Sequence, residues 1–106
     1  MDIGSEGPID YDGLDQPTFD NSGYHLIQNN IISDNGCGGI AGYVSHGSKI
    51  IGNRIERNNN LGMTAPEIGG IKLHFFTKGL IEANLIKDNH AYGIWLDNEW
   101  LISRVT

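Results

Sequence analysis

Lys72, His74, Trp95 and Asp97 bring acid–base, ionic and aromatic side chains to equivalent places of a repeated segment. They occupy the third and fifth places of two stretches that each begin with Gly-Ile. On neighbouring parallel strands, Lys72 would lie beside Trp95 and His74 beside Asp97. An indole stacks on the apolar face of a sugar ring, while charged groups bond its hydroxyls and transfer protons. We therefore predict a carbohydrate site in which Asp97 and His74 are catalytic and Lys72 and Trp95 bind substrate.

Two further residues belong to this prediction. Tyr43 takes the fifth place of the first Gly-Ile stretch, so we expect it to bind substrate beside His74. Glu67 lies in an irregular segment directly before the second stretch, and long loops on repeat proteins often border a binding face. We therefore assign Glu67 a catalytic role from the loop. The alternative for both is an ordinary solvated position.

The Gly-Ile stretches belong to a cassette that recurs three times. Each copy has two Asn five residues apart, an Ile two residues after the first Asn, and a Gly-Ile pair further on. The step from Asn30 to Asn53 is 23 residues, as is the step from Gly70 to Gly93, but the step from Asn53 to Asn84 is 31. A fixed period broken by one insertion is the pattern of a solenoid with a loop on one edge.

The repeat predicts an all-β fold, a right-handed parallel β-helix of three to four coils of about 23 residues. Short aliphatic runs bounded by Gly and Asn are typical of strands, and the evenly spaced Leu of a leucine-rich repeat is missing. Equivalent positions on stacked coils should form ladders about 4.8 Å apart. We expect an inward ladder of Ile32, Ile55 and Ile86 and an Asn ladder of Asn30, Asn53 and Asn84. The expected inward positions of the Gly-Ile strands are Ile40, Gly42, Ile71, Leu73, Ile94 and Leu96.

The chain divides into two parts on this pattern. Residues 1–22 form an irregular acidic segment, into which the register extends backwards as a degenerate coil, with Pro17–Asp20 in the place of a Gly-Ile strand. Residues 23–106 carry the repeats, with a loop insertion at about 59–69. Because Trp100–Thr106 begins a further coil, we expect the chain to be part of a longer helix.

Charge and composition exclude several classes of function. The net charge is −6, and residues 1–20 hold six acids and no Lys or Arg, so nothing favours nucleic acid as a partner. No apolar run approaches the roughly 18 residues that span a membrane, so we expect no membrane partner. Asp10, Asp12 and Asp15 are spaced closely enough for Ca²⁺, although they lack the rest of an EF-hand loop and a solvated acidic turn explains them better. We predict no other cofactor or metal.

The strings Gly70–His74, Gly93–Asp97 and Ser103–Thr106 resemble the right-handed parallel β-helix proteins of the pectin-lyase-like superfamily. They are similar, within it, to β-helix glycoside hydrolases of the β-xylosidase type. This resemblance implies that Asp97 is the nucleophile and that the acid/base is a carboxylate on the following coil. Residues Asn98–Trp100 depart from the family, which usually has another aromatic residue directly after the Asp.

The resemblance implies a fragment of a secreted, extracellular or periplasmic enzyme that is a monomer at full length. It would hydrolyse glycosidic bonds of a plant or microbial polysaccharide, and the isolated chain would be inactive because the acid/base coil is missing. Two alternatives stay open. The same face would bind a glycan or another partner without cleaving it, or the parent protein would be a polysaccharide lyase.

Overall fold

The computed structural model describes residues 1–4, 23–64, 67–76, 78–97 and 103–106, and these contain strands but no helix. The described part of the chain thus offers no helix that is long and apolar enough to span a membrane. The strands are β1 (Asp2–Gly4), β2 (Leu26–Gln28), β3 (Ile31–Ser33), β4 (Gly38–Tyr43), β5 (Lys49–Ile51), β6 (Arg54–Glu56), β7 (Gly69–His74), β8 (Leu80–Glu82), β9 (Leu85–Lys87), β10 (Ile94–Asp97) and β11 (Arg104–Val105).

Strands from successive coils pair in parallel and form three sheets. The first sheet has the order β1-β4-β7-β10, the second β11-β8-β5-β2 and the third β3-β6-β9. Between β2 and β10 the chain visits the second, third and first sheets in turn before it rises to the next coil. The predicted parallel β-helix is therefore confirmed.

The core is a set of aliphatic ladders, with one rung per coil on each sheet. Ile32, Ile55 and Ile86 face one another across β3, β6 and β9, as predicted. Most of these side chains are buried, and fully burying an Ile contributes about 1.5–3 kcal/mol. The other ladders are Ile27, Ile50 and Ile81 on the second sheet, and Ile40, Ile71 and Ile94 with Gly42, Leu73 and Leu96 on the first.

The predicted Asn ladder is present at the bend between the second and third sheets. Asn53 Oδ1 accepts from the backbone N–H of Asn30 at 2.9 Å and from its Nδ2 at 3.1 Å. Asn53 Nδ2 in turn donates to the Ile27 carbonyl at 2.9 Å and to Asn84 Oδ1 at 3.0 Å. Each buried amide therefore satisfies backbone groups that the bend would otherwise leave unpaired.

A second ladder, which the sequence analysis did not predict, is formed by the other Asn of the cassette. Asn58 Oδ1 accepts from the backbone N–H of Asn35 at 3.3 Å and from its Nδ2 at 2.7 Å. Asn58 Nδ2 donates to the Ile32 carbonyl at 3.0 Å and to Asn89 Oδ1 at 2.9 Å. The second ladder repeats the geometry of the first at the bend between the third and first sheets.

The Gly of the first two Gly-Ile pairs is required by the close approach of the next coil and by the second Asn ladder. A Cβ on Gly39 would lie 2.6 Å from the carbonyl oxygen of Gly70 and 2.9 Å from Asn58 Nδ2. A Cβ on Gly70 would lie 2.6 Å from the carbonyl oxygen of Gly93 and 2.9 Å from Asn89 Nδ2. The spacing of Asn and Gly in the cassette thus reflects the close approach of one coil to the next.

Left-handed residues turn the chain directly after the third-sheet strands. Asp34, Arg57 and Asp88 follow β3, β6 and β9 and have φ values of 59°, 54° and 54°. A left-handed conformation costs an ordinary residue roughly 1–2 kcal/mol, so the stacked coils must stabilise it. These three side chains consequently form a column beside the second Asn ladder.

The strand at the first edge of the first sheet is one that the sequence analysis did not identify. Asp2–Gly4 pairs with β4 there, with Asp2 opposite Ala41 and Gly4 opposite Tyr43, where Pro17–Asp20 had been expected. Ile3 supplies the inward side chain that a coil needs, whereas Pro17 has no N–H to donate to a ladder. Residues 17–20 themselves lie outside the described residues.

Candidate functional site

The predicted site residues lie on the outer face of the first sheet, in the register that the repeat implied. Lys72 on β7 pairs with Trp95 on β10, and His74 pairs with Asp97. Tyr43 on β4 pairs with His74 from the preceding coil. Because side chains alternate along a strand, the outward residues stand opposite the buried Ile71 and Leu73 positions. We call this surface the first-sheet face.

Lys72 was predicted to bind substrate, but it is buried in the free protein. Its side chain is only 2% exposed. The Trp95 ring covers it, with Nζ 3.4 Å from the ring centroid, and Nζ lies 2.9 Å from Asp97 Oδ2. The residue does point outward, but the next coil supplies both an aromatic lid and a counter-charge. An ammonium can be buried when it is paired in this way.

His74 is the centre of the first-sheet face. Its ring stacks on Tyr43, with a centroid distance of 4.6 Å and an interplanar angle of 26°. Nε2 lies 3.3 Å from Glu67 Oε1, and Nδ1 lies 3.6 Å from Asp97 Oδ2. Nδ1 is buried and makes no hydrogen bond within the described part of the chain, since the 3.6 Å to Asp97 is too long for one. The imidazole therefore lies between two carboxylates, and its Nδ1 has no hydrogen-bond partner among the described residues.

Glu67 is held in position by the preceding coil. The Cys37 thiol donates to the Glu67 carbonyl oxygen at 3.1 Å, and the Cys37 carbonyl accepts from the Gly69 N–H at 3.4 Å. Ile68, the next residue, is buried. These contacts fix the backbone while the Glu67 side chain stays 44% exposed and reaches His74. The end of the insertion thus borders the first-sheet face.

Asn59 holds the other end of the insertion. Its buried side chain accepts from the Met63 N–H at 2.8 Å and donates to the Met63 carbonyl at 3.0 Å. The backbone N–H groups of Asn60 and Leu61 donate to the carbonyls of Asn35 and Gly36. Residues 65 and 66 lie outside the described residues. Both ends of the insertion are therefore attached to the coil that precedes it.

The arrangement of the first-sheet face suits proton transfer. Glu67 Oε1 and Asp97 Oδ2 lie 3.3 Å and 3.6 Å from the two nitrogens of one imidazole, so the width of the ring separates the two carboxylates. Inverting glycosidases separate their two carboxyl groups by about 6.5–9.5 Å, which leaves room for a water. Lys72 neutralises charge on Asp97 and fixes its orientation. These groups can serve as a general base, a general acid and a proton carrier between them.

Tyr92 is a residue of this surface that the sequence analysis missed. Its ring lies 5.0 Å from that of Trp95 at an interplanar angle of 55°, and the residue is 50% exposed. The signal was weak because Tyr92 lies before the Gly-Ile pair, outside the strand positions that the repeat singles out. The available signal was a second aromatic residue three positions before Trp95 in the sequence.

A concave region lies beside the insertion, away from the predicted site. It encloses about 500 Å³ and is lined by Asp34, Arg57, Asn58, Asn59, Asn60, Leu61, Gly62, Asp88 and His90. Arg57 hydrogen-bonds both Asp34 oxygens at 2.8 Å, and this holds the pKa of Asp34 below its usual range. Hydrogen bonds from Arg54 and Arg57 likewise lower the pKa of Glu56. The charges of this groove are therefore largely satisfied by one another.

Metal binding finds no support in the part of the chain that the structure describes. No group of three or more His, Cys, Asp and Glu residues there could hold a metal ion. The carboxylates proposed for Ca²⁺, Asp10, Asp12 and Asp15, lie outside the described residues. The Ca²⁺ hypothesis for them stays a prediction.

Comparison with known proteins gives one match. The sequence model of the right-handed β-helix region matches residues 12–105, which is nearly the whole chain. No curated protein and no solved structure matches the chain.

Proposed function

The chain belongs to the right-handed β-helix family, and we propose that its first-sheet face hydrolyses glycosidic bonds. The observation that carries the proposal is the position of His74 between Glu67 and Asp97, with Lys72 Nζ 2.9 Å from Asp97. Two carboxylates in reach of one sugar ring are what glycoside hydrolysis requires.

In the proposed reaction, Asp97 acts as the general base and Glu67 as the general acid. Asp97 takes a proton from a water molecule as the water oxygen attacks the anomeric carbon. The glycosidic C–O bond breaks, and the leaving oxygen takes the proton of the Glu67 carboxyl group. One water is consumed and the anomeric configuration inverts. The resemblance had instead implied that Asp97 is a nucleophile, which would retain the configuration.

His74 resets the protonation of the two carboxyl groups after each turnover. Asp97 ends the step protonated and Glu67 ends it ionised. The imidazole can accept the Asp97 proton at Nδ1 and release the Nε2 proton to Glu67, because each nitrogen faces one of them. Proton exchange with bulk water, which supplies one proton to Nε2 and takes one from Nδ1, then returns the imidazole to its first tautomer before the next turnover. This role uses the nitrogen that has no hydrogen bond. His74 thereby acts as the proton carrier of the site.

The charges of the face favour a neutral glycan. Lys72 is buried and already paired with Asp97, while Glu67 and Asp97 keep 44% and 37% of their side chains exposed. A uronate carboxylate would meet these two acids on a chain whose net charge is −6. A polysaccharide lyase must remove a proton next to such a carboxylate, which makes the lyase alternative the weaker one.

The non-catalytic alternative also has an observation in its favour. A buried ammonium paired with a carboxylate and covered by an indole is a stable structural arrangement by itself. On this reading, Tyr43, Trp95 and the carboxylates would bind a glycan or another partner without cleaving it. The two proposals differ in whether Asp97 and Glu67 are needed for turnover or only for binding.

The test measures reducing ends released from xylan, β-glucan, arabinan and galactan. We expect Asp97→Asn and Glu67→Gln to lower turnover by about 10²–10⁴-fold, the usual contribution of a general acid or base. Glu82→Gln, on the second sheet, is the matched control and should leave turnover unchanged. NMR of the first product should show inversion. Unchanged turnover in Asp97→Asn would refute the mechanism, and binding without cleavage by the wild type would establish the non-catalytic alternative.

A further inference from the structure

We propose that the glycan lies along β10, with one sugar ring over Asp97 and His74, the next ring on Trp95 and a third ring on Tyr92. This inference rests on the proposed function, because it assigns the path of the glycan across the same face. It adds Tyr92 as a binding residue and predicts that affinity depends on the length of the glycan.

Three binding groups follow one another along the strand. Trp95 and Asp97 are two residues apart on β10 and point to the same side of the strand. The rise along a parallel strand places their Cα atoms about 6.6 Å apart. The Tyr92 ring lies 5.0 Å from the Trp95 ring at the start of the strand. Each step is close to the length of one sugar unit, so a chain along β10 meets one group per unit.

The path across the coils offers less aromatic surface. Within the described residues, the neighbour of His74 on the preceding coil is Tyr43, and its ring is already stacked on the imidazole. The neighbour of Trp95 is Lys72, whose ammonium occupies one face of the indole. Tyr92 by contrast is 50% exposed. The free aromatic surface therefore leads along β10 towards Tyr92.

The backbone of Tyr92 is fixed before any ligand arrives. Its carbonyl accepts from the Gly70 N–H at 2.8 Å. Gly69, with φ of 102°, passes so close that an added Cβ would collide with the same carbonyl oxygen. A ring that is already held in position loses little conformational entropy on binding, which is the usual advantage of an aromatic platform.

The experiment measures binding of neutral oligosaccharides without cleavage. Cello-oligosaccharides and xylo-oligosaccharides, each from disaccharide to hexasaccharide, are titrated into the Asp97→Asn protein by calorimetry, with and without Tyr92→Ala. We expect Tyr92→Ala to weaken binding of the longer oligosaccharides by about fivefold to tenfold and to leave the disaccharide unchanged. Tyr92→Phe should bind like the parent, because stacking needs the ring and not the hydroxyl.

Tyr24→Ala is the matched control, since Tyr24 is also an exposed tyrosine but packs on His46, away from β10. A length-independent loss in Tyr92→Ala, or no loss, would overturn the proposed path while leaving the proposed hydrolysis intact. Failure of every oligosaccharide to bind would instead refute the proposed function and the inference together. Equal losses in Tyr24→Ala and Tyr92→Ala would show a general effect on stability and would also overturn the inference.

Discussion

The two Asn ladders and the first-sheet face are built from one repeat, yet they use it in opposite ways. In each ladder every coil contributes the same residue, and each buried amide bonds the coils on both sides, as Asn58 does with Asn35 and Asn89. On the first-sheet face each coil contributes a different residue. Lys72 and Trp95 share one column, and their contact depends on the difference between them.

This difference separates stability from function within one fold. Repetition of an identical residue lets each added coil satisfy the polar groups of the last, so the ladders stabilise the stack. Variation at outward positions costs little, because no inward packing depends on them. The first-sheet face can therefore collect an acid, a base and an aromatic ring without disturbing the core. Substitutions in the Asn ladders should therefore change stability, and substitutions on the first-sheet face should change function.

Asn58→Ala should have the largest effect on stability. The side chain is fully buried and makes four hydrogen bonds, with two groups of Asn35, the Ile32 carbonyl and Asn89 Oδ1. Its loss leaves buried partners unpaired, and we expect the free energy of unfolding to fall by about 3–5 kcal/mol. Urea denaturation followed by circular dichroism measures it. Asn60→Ala, two residues away and exposed, is the control, and equal losses in the two variants would contradict the role of the ladder.

Gly70→Ala should have an intermediate effect that Gly93→Ala does not share. A Cβ on Gly70 would lie 2.6 Å from the Gly93 carbonyl oxygen, whereas one on Gly93 would, among the described residues, meet Ile86 Cγ2 at an ordinary 3.5 Å. We expect Gly70→Ala to cost about 1–3 kcal/mol, the usual range for overpacking, and Gly93→Ala to cost much less. Thermal melts of the two variants give the comparison. Similar melting temperatures would mean that the coils can move apart freely.

Lys72→Met should change stability least and function most. Asp97 is 37% exposed, so it can be hydrated when its partner is removed, and the Met side chain still fills the space under Trp95. We expect the free energy of unfolding to change by no more than about 1 kcal/mol, while turnover of the glycan falls because Asp97 loses its orienting contact. Lys87→Met, in an exposed pair with Asp88, is the control. A stability loss as large as that of Asn58→Ala would make Lys72 a structural residue. It would also show that the first-sheet face is not separable from the parts of the fold that provide stability.

The sequence predicted most of the features that repeat from coil to coil and missed most of those that occur once. The period fixed the register of Ile32, Ile55 and Ile86 and of the first-sheet face, because identical coils must stack in line. The first Asn ladder followed from the same argument. The second was missed, although its residues are part of the cassette and its hydrogen bonds repeat those of the first, including the bond to a carbonyl of the preceding coil.

The other features that the sequence does not specify are contacts between unlike residues. The burial of Lys72 depends on how the Trp95 ring folds back over it, which the spacing of the two residues does not specify. Asp2–Gly4 lies at the edge of the first sheet because Ile3 supplies an inward side chain, and the period offered no means to find a strand so far from the cassette. The position of Glu67 depends on Cys37 of another coil. The catalytic and binding roles assigned to these residues stay predictions.

The Asn ladders also give the solenoid a polar axis. Asn53 and Asn58 each turn Oδ1 towards the preceding coil and send an Nδ2 hydrogen bond to the following one, so every amide dipole in both columns has the same sense. The two ends of the stack are therefore chemically different, one presenting acceptors and the other donors. Any assembly that continues these columns must join chains head to tail, because two like ends would place donor against donor or acceptor against acceptor.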